Sequence, residues 1–132
     1  MKRFTLSNKE RIKRRKDFEQ IFSNGSYIYS KKRLIKAVYL AEYSGAEAGV
    51  KAAIAVSKKQ GIAVWRNRIK RLIRESFRLN KEILLESCLR KNILLKIIFS
   101  PVNLTEKNNK KIKLNDVLPD VLEIMLKLKS VL

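Results

Sequence analysis

Two hydrophobic periods alternate along this chain, and the helical one is clearest at residues 65–77. From Trp65, the apolar side chains of Ile69, Leu72, Ile73 and Phe77 follow at i+4, i+7, i+8 and i+12, which is one side of a 3.6-residue helix. At about 100° per residue, Arg66, Lys70, Arg74, Asn67, Arg78 and Arg71 sweep in that order from the edge of the stripe through the opposite side, and Arg68 sits apart beside Glu75. A Lys58-Lys59-Gln60-Gly61 turn leads into this helix. Earlier in the chain, Phe18, Ile21 and Phe22 at i, i+3 and i+4 predict a short helix that starts at Asp17 and stops at Asn24-Gly25. Residues 34–40 and 50–56 read as strands, separated by the Ser44-Gly45 to Gly49 turn region, with a shorter strand near Tyr27–Tyr29. Val50, Ala52, Ile54 and Val56 share one strand face, while small Ala53 and Ala55 on the other predict close packing or docking there.

Beyond the central helix the pattern continues as helix through Leu79–Leu89, with Ile83, Leu84 and Cys88 inward. Residues 93–99 predict a strand buried on both faces and bounded by Ser100-Pro101, and residues 102–115 a loop rich in Asn and Lys. A last helix is marked by Leu118, Val121, Leu122, Met125 and Leu126, with Pro119 tolerated in its first turn. The order is helix, two or three strands, helix, strand, helix. That is an α+β chain with a mixed sheet, most simply a two-layer α/β sandwich. At 132 residues it predicts one domain over 1–132, with residues 1–8 mobile.

Charge turns this fold expectation into a functional one. The chain carries 31 basic and 12 acidic residues, a net charge of +19, and 45% apolar residues, enough for a core. Residues 56–78 hold eight cations against Glu75, a local charge of +7. A merely solvated helix face mixes signs; this one repels itself unless a polyanion neutralises it. Eight further cations, Arg14 and Arg15 among them, fall in residues 1–16. Phe18 and Phe22 read either as core aromatics or as rings left accessible for stacking on unpaired bases.

One cysteine and no histidine exclude an internal disulfide, Cys/His zinc sites and His-based triads. Cys88 reads as a small buried apolar residue. Asp17, Glu42, Glu75 and Asp116 are scattered, and read as solvated or capping charges rather than Mg²⁺ ligands. No apolar h-region follows Met1-Lys2-Arg3, and no apolar run approaches a membrane span, so the expectation is a cytoplasmic protein.

The string Lys58-Lys59-Gln60-Gly61-x-Ala63-Val64-x-Arg66-Asn67-Arg68-Ile69-Lys70-Arg71 resembles the signature of the bacterial ribonuclease P protein component. The likeness extends to the basic stretch and Phe pair of Arg14–Phe22 and to the order of elements. It implies the order αβββαβα, with a left-handed crossover between two parallel strands. It also implies a subunit of ribonuclease P that assists endonucleolytic removal of the 5′ leader from precursor tRNA, the hydrolysis being carried by a catalytic RNA with Mg²⁺. By this resemblance Lys58, Lys59, Arg66, Asn67, Arg68, Lys70 and Arg71 contact the catalytic RNA, and Arg74 on the same basic helix is a further candidate. Phe18 and Phe22, with Arg14 and Arg15, line the leader cleft, and Tyr39 is a further candidate there. The partners implied are the catalytic RNA and precursor tRNA in a protein–RNA heterodimer, with dimerisation of the holoenzyme an open alternative. Three positions depart from the family pattern: Ile62 stands for Asn, Trp65 for a smaller apolar residue, and Ser100 for a frequent Arg. The competing reading is a non-catalytic RNA-binding or RNA-chaperone module such as a ribosomal protein. A protein-only nuclease lacks a carboxylate or His constellation, and a membrane-surface role is weaker still.

Overall fold

Alternation and helical periodicity resolve into nine elements in the computed structural model, which describes residues 10–43 and 47–132. They are α1 (Arg15–Asn24), β1 (Ser26–Tyr29), β2 (Ile35–Tyr43), β3 (Gly49–Ile54), a single 3-10 turn (Lys58–Gln60), α2 (Ala63–Asn80), α3 (Glu82–Lys91), β4 (Ile93–Pro101) and α4 (Leu114–Val131). The mobility expected for residues 1–8 lies outside the described residues. The four strands form one mixed sheet in the order β1-β2-β4-β3. β2 is antiparallel to β1 and β4, whereas β3 runs parallel to β4. The connection between those parallel neighbours is α2 plus α3, so the basic helix belongs to the crossover.

One sheet face carries Ile35, Ala37, Val50, Ala52 and the odd-numbered residues of β4, packed against α2, α3 and α4. Trp65, Ile69, Ile73 and Phe77 are buried there as their spacing predicts. The Phe77 and Phe99 rings meet with centroids 5.8 Å apart. Cys88 is fully buried in the same layer. The turn after β1 is clasped to α4: Ser30 Oγ donates to the buried Asp120 carboxylate at 2.6 Å, and Lys31 N donates to Glu123 at 2.7 Å.

Three expectations need correction. The helix expected through Leu79–Leu89 is two helices meeting at Lys81, whose side chain pairs with Glu10 at 2.8 Å. The last helix starts at Leu114 rather than near Leu118, because Lys113 N donates to the Asp116 carboxylate at 2.8 Å and fixes an earlier start. Pro119 therefore lies in the second turn, and the stripe facing the core is Val117, Val121, Ile124, Met125 and Leu128, leaving Leu126 exposed. Residues 102–113 form the loop, and they are not without pattern: Leu104 and Ile112 are buried and pin it to the helical layer.

The second sheet face is covered only in part. α1 lays Ile21 and Phe18 over Val38, Leu40 and Ile98, and Ile12 closes the cluster from the β3 side. Ile12 N donates to Ala52 O at 3.2 Å, so the segment before α1 runs beside β3. Between them Ala53 and Ala55 leave a shallow floor, as their size predicts.

Candidate nucleic-acid interface

Local hydrogen bonds hold the turn before α2 in one shape. Lys59 N donates to Ser57 Oγ at 3.2 Å and Ser57 N donates to the Gln60 side chain at 2.9 Å, a reciprocal capping box. The Gln60 amide donates onward to the carbonyls of Pro101 and Leu104 at 2.9 and 3.1 Å. The 102–113 loop answers: Glu106 N donates to Gln60 O at 2.7 Å, and Ile62 N donates to the Glu106 carboxylate at 2.9 Å. Gly61 sits in this crossing, where a Cβ would stand 2.8 Å from the Trp65 ring and 2.9 Å from Glu106 Cβ. Only a residue without a side chain lets the turn lie so close to the indole. The departure at Ile62 thus has a counterpart: the helix start lacks a side-chain cap of its own, and a carboxylate from the loop sits there.

With its apolar stripe buried, α2 turns its cations outward. Lys58, Lys59, Asn67, Arg68 and Arg71 are exposed, while Arg66, Lys70 and Arg74 are half-buried. Arg66 Nε donates to Gly61 O at 3.0 Å, which orients the guanidinium and leaves its terminal amino groups for another acceptor. Glu75 pairs with Arg78 at 3.0 Å, so the single acid of the stretch neutralises the far end of the helix and not the motif. Burial first, and then the nearby charges of Arg11 and Arg78, lower the Arg74 pKa.

Arg74 also reaches the uncovered sheet face. A groove of about 260 Å³ runs there between Arg11, Lys13, Phe18, Ala53 and Arg74. A second, of about 350 Å³, lies between Lys36, Ala55, Ser57, Gln60 and Ser100 and ends against the motif turn. Lys36 is directly across from Ser100 in the sheet, so a cation stands beside the position where the resemblance expects Arg.

Of the aromatic candidates, Phe18 lines the first groove, and Phe22 is 41% exposed on α1. Arg14 and Arg15 are exposed at the start of α1, with Arg15 paired to Glu19 at 3.3 Å. Tyr39 is a correction. It packs with Ile35 and Ala37 against the helical layer, away from the grooves, because its place in β2 has the odd-numbered parity. The tyrosines on the open face are Tyr27 and Tyr29, opposite Val38 and Lys36. Their rings lie 5.6 Å from the Lys36 ammonium and 5.1 Å from the Arg33 guanidinium, respectively. The spacing of two in a short strand was the available signal for that pair.

The candidate acids have partners or caps of their own. Asp17 and Glu42 flank Lys96 at 3.9 and 3.8 Å, and Asp116 caps α4. Among the described residues no group of three His, Cys, Asp or Glu side chains comes together as metal ligands would, and no helix is long and apolar enough to cross a membrane.

This geometry defines a basic α+β protein with a cationic turn and helix, and with grooves on the uncovered sheet face bordered by cations and by Phe18. The family model for ribonuclease P matches residues 6–117, and the chain belongs to that family. It is 44% identical over 82 residues to the ribonuclease P protein component of Syntrophus aciditrophicus, a stretch of 62% of this chain and 65% of that protein, just under two thirds of its length. To the ribonuclease P protein component of Staphylococcus epidermidis it is 33% identical over 114 residues, 86% of this chain and 88% of the relative. Its fold is similar to that of the Staphylococcus aureus RNase P protein, with a TM-score of 0.67 at 28% identity over 92% of this chain and 96% of that one.

Proposed function

We propose that this chain is the protein subunit of a cytoplasmic ribonuclease P, binding a catalytic RNA and the 5′ leader of precursor tRNA so that the RNA can cut the leader away. The observation that carries the reading is that Ser57 and Gln60 of the motif turn line one of the grooves, so the cationic turn and a groove of the uncovered sheet face adjoin. Lys58, Lys59, Asn67, Arg68 and Arg71 face outward together and suit a phosphate backbone, the arginines by two-pronged hydrogen bonds and the lysines as point charges. The grooves suit a single strand. Phe18 and the exposed Phe22 offer stacking surfaces, Arg11, Lys13 and Lys36 attract the backbone, and the small Ala53 and Ala55 keep the floor low. Arg14 and Arg15 extend the cationic rim at the start of α1.

In this reading hydrolysis is RNA chemistry assisted by Mg²⁺. Asp17, Glu42, Glu75 and Asp116 are engaged with Lys96, Arg78 and the start of α4; in this reading the Mg²⁺ is held mainly by phosphate oxygens of the RNA and substrate. The test is single-turnover 5′-leader cleavage by a bacterial ribonuclease P RNA at low Mg²⁺, with the protein present or omitted. Stimulation confined to the reconstituted complex supports the proposal. RNA binding without stimulation overturns it in favour of a non-catalytic RNA-binding module.

A further inference from the structure

Three consecutive apolar residues, Ile62, Ala63 and Val64, are exposed at the start of α2, Ile62 at 61% and Val64 at 75%. A run of that kind on the outside of a soluble fold is a fault unless something covers it. Its position is specific. Val64 shares a helix meridian with Asn67, Arg68 and Arg71 at i+3, i+4 and i+7, on the side opposite buried Ile69 and Ile73. The apolar edge therefore borders the cationic helix surface, and the exposed Lys58 and Lys59 precede it in the turn. It is also held still: Ile62 N is fixed by Glu106, and the neighbouring Trp65 is buried beneath the turn. A surface already ordered loses little freedom when it binds.

What covers it must meet both characters at once. A second copy of this chain would bring its own cations against these, and a phosphate group cannot remove methyl groups from water. An unstacked nucleobase or the ribose edge of an RNA backbone does both, offering an apolar face within reach of phosphates. We propose that Ile62 and Val64 form an apolar contact with the face of a base or ribose of the bound RNA. This contact gives the interface a component independent of salt. The proposal rests on the RNA-binding reading above and adds a surface to it.

The two readings separate in one experiment. The unsubstituted protein, Val64→Ala, Ile62→Asn and Arg68→Ala are titrated with a bacterial ribonuclease P RNA across a salt series, and with inorganic polyphosphate, which has charge but neither bases nor sugars. Alanine favours helix, so Val64→Ala keeps the fold, which circular dichroism checks. The expected result is about fivefold weaker RNA binding for Val64→Ala, an unchanged slope of log K against log[salt], and unchanged polyphosphate binding. Arg68→Ala should instead lower the slope and weaken both ligands. Unaltered RNA affinity in both Val64→Ala and Ile62→Asn, with Arg68→Ala still impaired, overturns the apolar contact and leaves the RNA reading standing. Failure of the unsubstituted protein to bind the RNA overturns both.

Discussion

The indole Nε1 of Trp65 donates to the main-chain carbonyl of Asn109 at 3.0 Å. This bond ties the buried side of α2 to the loop between β4 and α4. Trp65→Phe keeps an aromatic ring and removes the donor, so unfolding in urea should show a loss of about 1 kcal/mol, the net worth of one such bond. Trp65→Ala empties the site and should cost about 3–5 kcal/mol. A neutral Trp65→Phe would mean that the loop gains nothing from this bond.

Glu106 tests the other attachment of the loop. Its carboxylate accepts from Ile62 N, beside a surface that is otherwise cationic. Glu106→Ala should speed hydrogen exchange of the Ile62 amide and weaken RNA binding through a loosened turn. Glu106→Gln keeps an acceptor while removing one negative charge, and should bind RNA more tightly at low salt. Equal effects of the two variants would show that charge, and not the brace, is what matters.

The helix bearing the motif was legible because its apolar stripe keeps one period from Trp65 to Phe77, with Arg66 falling close to that stripe, where it is half-buried. The contact that shapes the start of that helix was not, since Gln60 and Glu106 are brought together only when β4 returns beside β3. Nor does the break at Lys81 announce itself: Asn80-Lys81-Glu82 contains neither Gly nor Pro, and Lys81 itself keeps helical backbone angles. The last helix was misplaced because Pro119 was given the first turn, whereas Asp116 capping Lys113 N sets the start. Tyr39 falls on the helical side of the sheet, and Tyr27 and Tyr29 on the open one, for a similar reason. Which parity of a strand faces a groove depends on the side that α1 covers, and local sequence does not encode it.

Arg68 and Arg71 are exposed, so replacing them should change binding without changing the fold. In a salt titration of RNA affinity, Arg68→Ala plus Arg71→Ala should lower the slope by roughly 0.7–0.9 for each phosphate that the variant no longer neutralises. Arg66→Ala differs, because it also removes the bond to Gly61 O and should add a stability loss of about 1 kcal/mol. An unchanged slope in the Arg68/Arg71 variant would remove these residues from the phosphate-binding surface.

Burial raises the Cys88 pKa from 9.0 to about 11, against a smaller opposing pull from Lys91. Folding therefore favours the protonated thiol. That contribution is fully present below the unfolded pKa and is lost as pH rises from about 9 towards 11. Iodoacetamide at pH 8 should leave Cys88 unmodified in the folded protein and alkylate it in urea. Rapid labelling of the folded protein would contradict the burial.

Phe18 and Phe22 lie one helical turn apart on α1 and should fail differently. Phe18 packs against the cluster formed by Ile12, Ile21, Val38 and Ile98, so Phe18→Ala should destabilise the fold as well as alter the groove. Phe22 is 41% exposed, and Phe22→Ala should shift stability by less than about 1 kcal/mol. If a leader base stacks on that ring, Phe22→Ala should weaken binding of leader-bearing precursor tRNA by about 1–3 kcal/mol and leave mature tRNA unaffected. Equal weakening for precursor and mature tRNA would move Phe22 out of the leader path, and a large drop in melting temperature would return it to the core.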